Sequence, residues 1–452
     1  MADLQPRRTW VESDRVIPRR FVRPFRRFIK LEASSGGVLL VAAVAAVLWA
    51  NLDIFGDSYA ELWETRVDFR IGGLLHVDES LRDIVNDALM TLFFFVVGLE
   101  IKRELRIGDL RDPRAAALPV FAALGGMIVP ALIFLSFNSG GDASRGWGIP
   151  MATDIAFAVG IVALLGPRVP RGAKLFLLAL AIADDIGAIA VIAIFYTEDL
   201  NAGWFVFALL GFAVIYGAKQ SGVISLGFYW VVGIVVWFAV FESGVHGTLA
   251  GVALGFLTPT TPHYSGDEYD RKARATLDLY SSDDTSPVAR ERLDHEVLQL
   301  ARVSRDSVSP LIRLEEGLHP WTSFLVVPLF ALANAGIDFG AIDVGDAVTS
   351  PVALGVALGL VLGKTIGVTV FTWLALRLQF GVFPRGTGWS DVIGLAALAG
   401  VGFTVSLFIT ELAFMDPLLT DEAKIGIFIG SAVAGVVGYL LLRFKPAREP
   451  GG

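Results

Sequence analysis

LFLLALAIADDIGAIAVIAIFY, residues 175–196, is an apolar run of helix length with Asp184 and Asp185 side by side at its centre and no other charge. At about 1.5 Å rise per residue such a helix covers roughly 33 Å, the thickness of a bilayer's hydrocarbon core, which puts both aspartates near the midplane. One Asp at that depth costs about 2.5 to 3.5 kcal/mol on insertion scales, so an adjacent pair requires water, a cation or a basic partner. Successive helix residues are rotated by about 100°, so one carboxylate can line a water-filled path while its neighbour turns toward another helix. The competing reading is an ion cluster that only packs helices, but intramembrane ionisable residues are functional by default.

The remainder of the chain has the same character. Of its 452 residues 54 % are hydrophobic and 18 % charged, with a mean hydropathy of +0.63, which calls for several membrane spans and not one large soluble core. The absence of cysteine excludes disulfides, zinc–thiolate sites and thiol catalysis and leaves oxygen and nitrogen ligands. A net charge of −8 is carried mainly by exposed segments, and neither a nucleic-acid motif nor a P-loop is present. Apolar runs predict twelve spans, near 36–50, 84–101, 115–137, 148–166, 173–197, 203–218, 222–241, 245–257, 321–336, 351–376, 390–413 and 423–443.

Loop charge tests that count. With the N-terminus in the cytoplasm, 31 Lys and Arg fall on the cytoplasmic side and five on the other, Arg66, Arg70, Arg82, Arg145 and Lys424, while Lys364 lies within a span. The positive-inside rule therefore favours twelve spans with both termini cytoplasmic. Residues 1–30 carry nine Lys or Arg and no cleavage site, and read not as a signal peptide but as a cytoplasmic tail, either resting on anionic lipid or solvated and disordered. Residues 31–445 form one membrane transport domain, and 446–452 a second tail. Within the domain, 52–80 reads as an extracytoplasmic loop whose RVDFRIGG stretch suggests a short hairpin. The charged stretch 262–318 reads as a long cytoplasmic loop, largely mobile, with a helix near 287–303.

Few spans carry polar groups away from their ends. Asp154 follows Pro150 and adjoins Thr153, where proline withdraws a backbone donor and breaks the helix. Lys364 lies mid-span between Gly363 and Gly367, the obvious partner for an aspartate. Gly400, Gly402, Thr404 and Ser406 cluster in another span, a second place for helix hydrogen bonding to lapse. These interruptions sit in corresponding segments, about 115–197 and 351–443, the pattern of an inverted-repeat transporter with its site near the midplane. There Asp154 and Lys364 would neutralise the exposed amide and carbonyl ends respectively; alternatively Asp154 simply caps a helix start.

The stretches GLEIKREL, ATDIAFAVG, ALAIADDIGAIAVIAIFY, SGVHGTLAGV, RLEEGLHPW, FALANAG, GKTIGV and GVGFTVSLFI resemble, in order, those of the NhaA family of bacterial sodium/proton antiporters. That family is itself a defining example of the inverted repeat. The resemblance implies an all-α polytopic membrane protein with two discontinuous helices crossing near the midplane, at Thr153–Asp154 and near Gly402–Thr404. It implies that Asp185 is the main cation ligand and that Asp184 shares the site and exchanges a proton or a salt bridge with Lys364. Glu100, Arg103, Glu104, His246, Glu315 and His319 fall on positions tied to pH response or conformational coupling, although one histidine in a short span is often only a packing residue. Ile312 and Glu316 depart from the basic or titratable residues of known members. A homodimer through 52–80 and a place in the bacterial inner membrane are further implications.

The expected function is electrogenic, pH-regulated export of Na⁺ or Li⁺ in exchange for H⁺ by alternating access, with no cofactor and no enzymatic activity. Carboxylates that hold either a proton or a hard cation couple the two fluxes by competition. A K⁺/H⁺ exchanger or a sodium-coupled organic-anion symporter on the same fold is the nearest alternative. An intramembrane aspartyl protease using Asp154 and Asp184 is a remote one, lacking its Gly-x-Gly-Asp motif.

Overall fold

Every one of the twelve apolar runs is helical, wholly or in part, in a computed structural model that describes residues 32–71, 75–197, 200–223, 225–280, 286–340 and 342–445. The expected N-terminal arm and C-terminal tail lie outside the described residues. The chain opens with α1 (Glu32–Asn51), a short helix Ser58–Trp63 and the strands β1 (Arg66–Ile71) and β2 (Leu75–Ser80). Next come α2 (Leu81–Arg106) with a π-turn at Val85–Leu89, and α3 (Pro113–Phe137). A 3₁₀ segment Asp142–Met151 leads into α4 (Ile155–Leu165), and α5 (Arg171–Phe195) carries the aspartate pair. Then follow α6 (Ala202–Gln220), α7 (Leu226–Glu242), α8 (Gly247–Leu257), α9 (Gly266–Tyr280), α10 (Pro287–Asp306), α11 (Pro310–Trp321) and α12 (Val327–Asn334). The last are α13 (Pro351–Arg377) with a π-turn at Gly359–Gly363, α14 (Trp389–Leu398), α15 (Phe403–Ala413) and α16 (Pro417–Arg443).

Among the described residues eight helices are long and apolar enough to cross a membrane, and the pair α14–α15, bent by 45°, makes nine. The difference from twelve lies in α7 and α8, which are shorter apolar helices, and in α12, whose helical stretch begins earlier than the expected 321, with Ser309 capping α11. The hairpin expected within 52–80 is present, with β1 and β2 antiparallel from Arg66 opposite Ser80 to Ile71 opposite Leu75.

The chain divides into two compact units, each described by itself. The larger comprises residues 1–90, 109–197 and 323–452. Three of its long helices start in the same way: Asp112, Ser350 and Asp416 accept a backbone N–H, and proline takes the first helical position, where no N–H is required. α3 and α13 run antiparallel, with Asn138 Nδ2 donating to Pro351 O at 2.8 Å, Pro130 beside Gly363 and Gly125 beside Gly367. A Cβ on Gly367 would run into the Gly125 carbonyl, so this contact exists only between glycines. The stretches 113–195 and 351–443 thus share one order, long helix, broken helix, long helix, and their first members run in opposite senses. Leu118, Val162, Leu180, Val368, Leu395 and Leu442 belong to the core between them.

The smaller unit comprises residues 91–108 and 198–322. α6, α7 and α8 meet around Ala208, Ile215, Val236, Ala239, Val240 and Ala250. The stretch 262–318, expected as a long loop with one helix near 287–303, is mostly helix: α10 lies at the expected place, and α9 and α11 flank it. Its charges are spaced for pairing and do not form repelling blocks. Ser265 and Glu268 form a reciprocal capping box, Arg274 pairs with Asp270 one turn away at 2.8 Å, and Lys272 of α9 pairs with Glu296 of α10 and reaches Gln299 at 2.9 Å.

Candidate ion-binding site

The larger unit brings both helix breaks together. Residues 149–154 lie antiparallel to 399–406: Asp154 N donates to Val401 O at 2.6 Å, and Ser406 Oγ donates to Ile149 O at 2.7 Å. A Cβ on Gly402 would press on Leu360 at 2.8 Å and on the Ala152 carbonyl at 3.1 Å, which is why the second break carries glycine. Ser431 Oγ on α16 accepts the Gly402 N–H at 3.3 Å.

Asp154 caps two helices. Its Oδ1 accepts Phe157 N at 3.2 Å, the start of α4, and its Oδ2 accepts Thr404 N at 3.1 Å and Thr404 Oγ1 at 2.6 Å, the start of α15. A buried carboxylate therefore lies between two positive helix ends, so the capping and neutralising readings are one arrangement. The companion expectation for Lys364 is corrected. Its ammonium donates to Asp184 Oδ2 at 2.5 Å and to Thr153 Oγ1 at 3.1 Å, because a full carboxylate charge attracts it more than the half charge of a helix end. The carbonyl end of α14 is met by Thr153, whose Oγ1 lies 2.8 Å from Ala399 O.

Thr153 Oγ1 is also 2.6 Å from Asp184 Oδ2, and its single proton serves one of these two acceptors at a time. Asp184 and Lys364 have no exposed surface, and Thr153 is 1 % exposed. Among the described residues Asp184 Oδ1 has no hydrogen-bond partner, although it is buried. A buried carboxylate oxygen left in that state is costly unless a proton or cation visits it. Asp185, one residue on and rotated to another face, is also buried but keeps 8 % exposure. Asp154 and Asp184 do not form a protease dyad: Asp154 is taken up by helix-start donors and Asp184 by Lys364 and Thr153.

In the smaller unit Glu100, Arg103 and Glu104 of α2 meet Glu315 and His319 of α11. Arg103 pairs with Glu315, and its Nη2 lies 3.3 Å from Glu104 Oε1, while His319 Nε2 lies 3.9 Å from Glu100 Oε1. Burial pushes the Glu315 carboxyl up, and Arg103 pulls it partly back. His246 takes the N-cap position of α8, on neither helix of this cluster. Sequence reasoning missed Lys102, whose ammonium satisfies the carbonyls of Phe256 (2.5 Å) and Thr258 at the end of α8. It also missed Ser431 and the Ala399 carbonyl; a serine in a small-residue run was the only signal for the first, and a backbone atom leaves none for the second.

The family profile described as Na+/H+ antiporter 1 matches residues 26–442. The Na(+)/H(+) antiporter NhaA of Syntrophobacter fumaroxidans is 44 % identical over 435 residues, covering 95 % of this chain and 92 % of the relative. That of Janthinobacterium sp. (strain Marseille) is 44 % identical over 435 residues, 96 % of each chain, and the Na(+)/H(+) antiporter NhaA 2 of Sorangium cellulosum is 42 % identical over 442 residues, 97 % of this chain and 94 % of the relative. With its broken helices crossed at a buried Asp–Lys pair and these matches running almost end to end, the chain belongs to the Na⁺/H⁺ antiporter 1, or NhaA, family, whose members are multi-pass membrane transporters and not enzymes.

Proposed function

We propose that this protein exports Na⁺ or Li⁺ in exchange for H⁺, by alternating access, from a site made of Asp184, Asp185 and Lys364 and supported by Thr153, Asp154, Gly402 and Thr404. The observation that carries the reading is the fully buried Asp184–Lys364 pair, 2.5 Å apart, with Asp184 Oδ1 left without a hydrogen-bond partner among the described residues. A cation held by Asp185 and Asp184 displaces the ammonium from Asp184, and Lys364 and Asp185 then give up protons that a low-dielectric site cannot keep beside it. Two protons leaving for one monovalent cation move net charge, so the exchange is electrogenic. Thr153, with one proton between Asp184 and Ala399 O, links the state of the pair to the broken backbone.

The stretches 113–195 and 351–443 act as inverted repeats that tilt about this crossing, with Glu100, Arg103, Glu104, Glu315, His319 and His246 setting the response to pH. The excess of Lys and Arg in alternate loops favours cytoplasmic termini in a bacterial inner membrane. Purified protein in proteoliposomes under an imposed pH gradient tests the reading. Na⁺ or Li⁺ should dissipate the gradient and K⁺ should not; dissipation by K⁺ alone assigns a K⁺/H⁺ exchanger. Asp185→Asn removes the anionic ligand at constant size, so exchange should vanish while the protein still inserts; sodium-driven proton flux surviving in that variant overturns the assignment.

A further inference from the structure

Both half-helices that meet at the ion site end, on the side away from it, at the C-terminus of α16. Lys445 Nζ donates to Asp391 Oδ1 at 2.5 Å. Asp391 has no exposed surface, and its Oδ2 accepts the Gly388 N–H at 3.0 Å at the start of α14. Just after α4, Arg168 Nη1 donates to the Arg443 carbonyl at 2.8 Å, one of the acceptors that a helix end leaves unmet. Between these ties α16 lies antiparallel along α14: a Cβ on Gly394 would meet Leu442, and one on Gly438 would meet Leu398. Gly435 lies beside Ile161 of α4 and Val401 at the second break.

The opposite ends of the same half-helices hold the Ala399 carbonyl, Thr153 and Asp154. A ten-residue helix such as α14 is about 15 Å long and transmits a shift of one end to the other. We propose that Lys445 and Asp391, together with Arg168 on the Arg443 carbonyl, form a clasp that holds α4 and α14 in register and so sets the affinity of the ion site. Asp391 and Lys445 touch no ion; they are positioning residues, acting through the Ala399–Thr153–Asp184 contacts. Opening the clasp takes the ammonium away from a buried carboxylate at the start of α14, so α14 moves when the clasp opens.

The inference rests on the antiport reading for its transport assay but not for its structural one. In proteoliposomes, Lys445→Ala and Asp391→Asn should each raise the apparent KM for Na⁺ by roughly three- to tenfold, with kcat changed less than about twofold. Lys445→Arg, which keeps a cation against Asp391, should hold KM near the wild-type value. A residue that only stabilises the fold would lower kcat at constant KM, and that result overturns the proposal. Hydrogen exchange of the solubilised full chain reads the clasp without transport: Lys445→Ala should speed exchange over 389–398 and 155–165, and rates equal to wild type there overturn it. If the wild-type protein moves no Na⁺, the antiport reading falls, and hydrogen exchange alone decides the clasp.

Discussion

Lys364 is held where an ammonium group survives only because Asp184 is 2.5 Å away and both are sealed from solvent. Removing one partner of such a pair leaves a buried charge, a loss of about 3 to 5 kcal/mol. Lys364→Ala should therefore lower Tm in detergent by several degrees; an unchanged Tm would separate Lys364 from Asp184. At the second cluster the relevant proton is on Glu315. Burial raises its pKa in the folded chain above that in the unfolded chain, so its protonated form favours folding. That contribution is complete below the ordinary glutamate pKa and is lost as pH rises through the raised value, where the ionised pair with Arg103 takes over. On acidification Glu315 thus releases Arg103 at a higher pH than an unperturbed glutamate would. Glu315→Gln fixes the protonated shape, and Glu100→Gln removes the carboxylate facing His319. Glu315→Gln should move the pH profile of exchange to the alkaline side and Glu100→Gln should shift it by a comparable amount, about 0.5 to 1 unit each, at unchanged maximal rate. Profiles superimposable on wild type for both would leave pH control to the aspartate pair.

At the scale of elements, helices approach each other most closely where no side chain intervenes. Gly367 of α13 meets the Gly125 carbonyl of α3, whereas a Cβ on Gly217 of α6 would have nothing within 4 Å. Gly367→Val forces apart the helix that carries Lys364, so it should cost about 1 to 3 kcal/mol or more and reduce folded protein in the membrane. Gly217→Ala lowers only the entropy of the unfolded helix and should add roughly 0.5 to 1 kcal/mol. Thermal scans of both variants distinguish close approach from composition. The helices α9 and α10 show the opposite case, in which a polar segment earns its order through charge spacing.

At the scale of the chain, the β-hairpin leaves and returns at one place in the backbone. Thr65 O accepts Leu81 N at 3.0 Å, so the chain ends left by deleting 66–80 already lie together. If the hairpin joins two copies, the deletion bridged by two glycines should run as a monomer in mild detergent by light scattering while Na⁺/H⁺ exchange continues. A deleted protein that remains dimeric places the interface elsewhere.

The sequence by itself determined the helical class and the two interrupted segments, and it singled out Asp154, Asp184, Asp185 and Lys364, because an ionisable group inside an apolar run is costly. It also carried the hairpin at 66–80, since strand alternation and a turn are local signals. In 262–318 it placed a helix near 287–303, where α10 lies, but not α9 or α11, because helix order there depends on pairs such as Lys272–Glu296 that join different helices. Only the tertiary structure decided that Thr153 answers the end of α14, that one carboxylate caps two helices, and that Ser431 and the Ala399 carbonyl close the break. Those choices depend on which backbone ends meet, and that is fixed by helix crossing through glycine contacts far apart in the chain, a property no single apolar run contains.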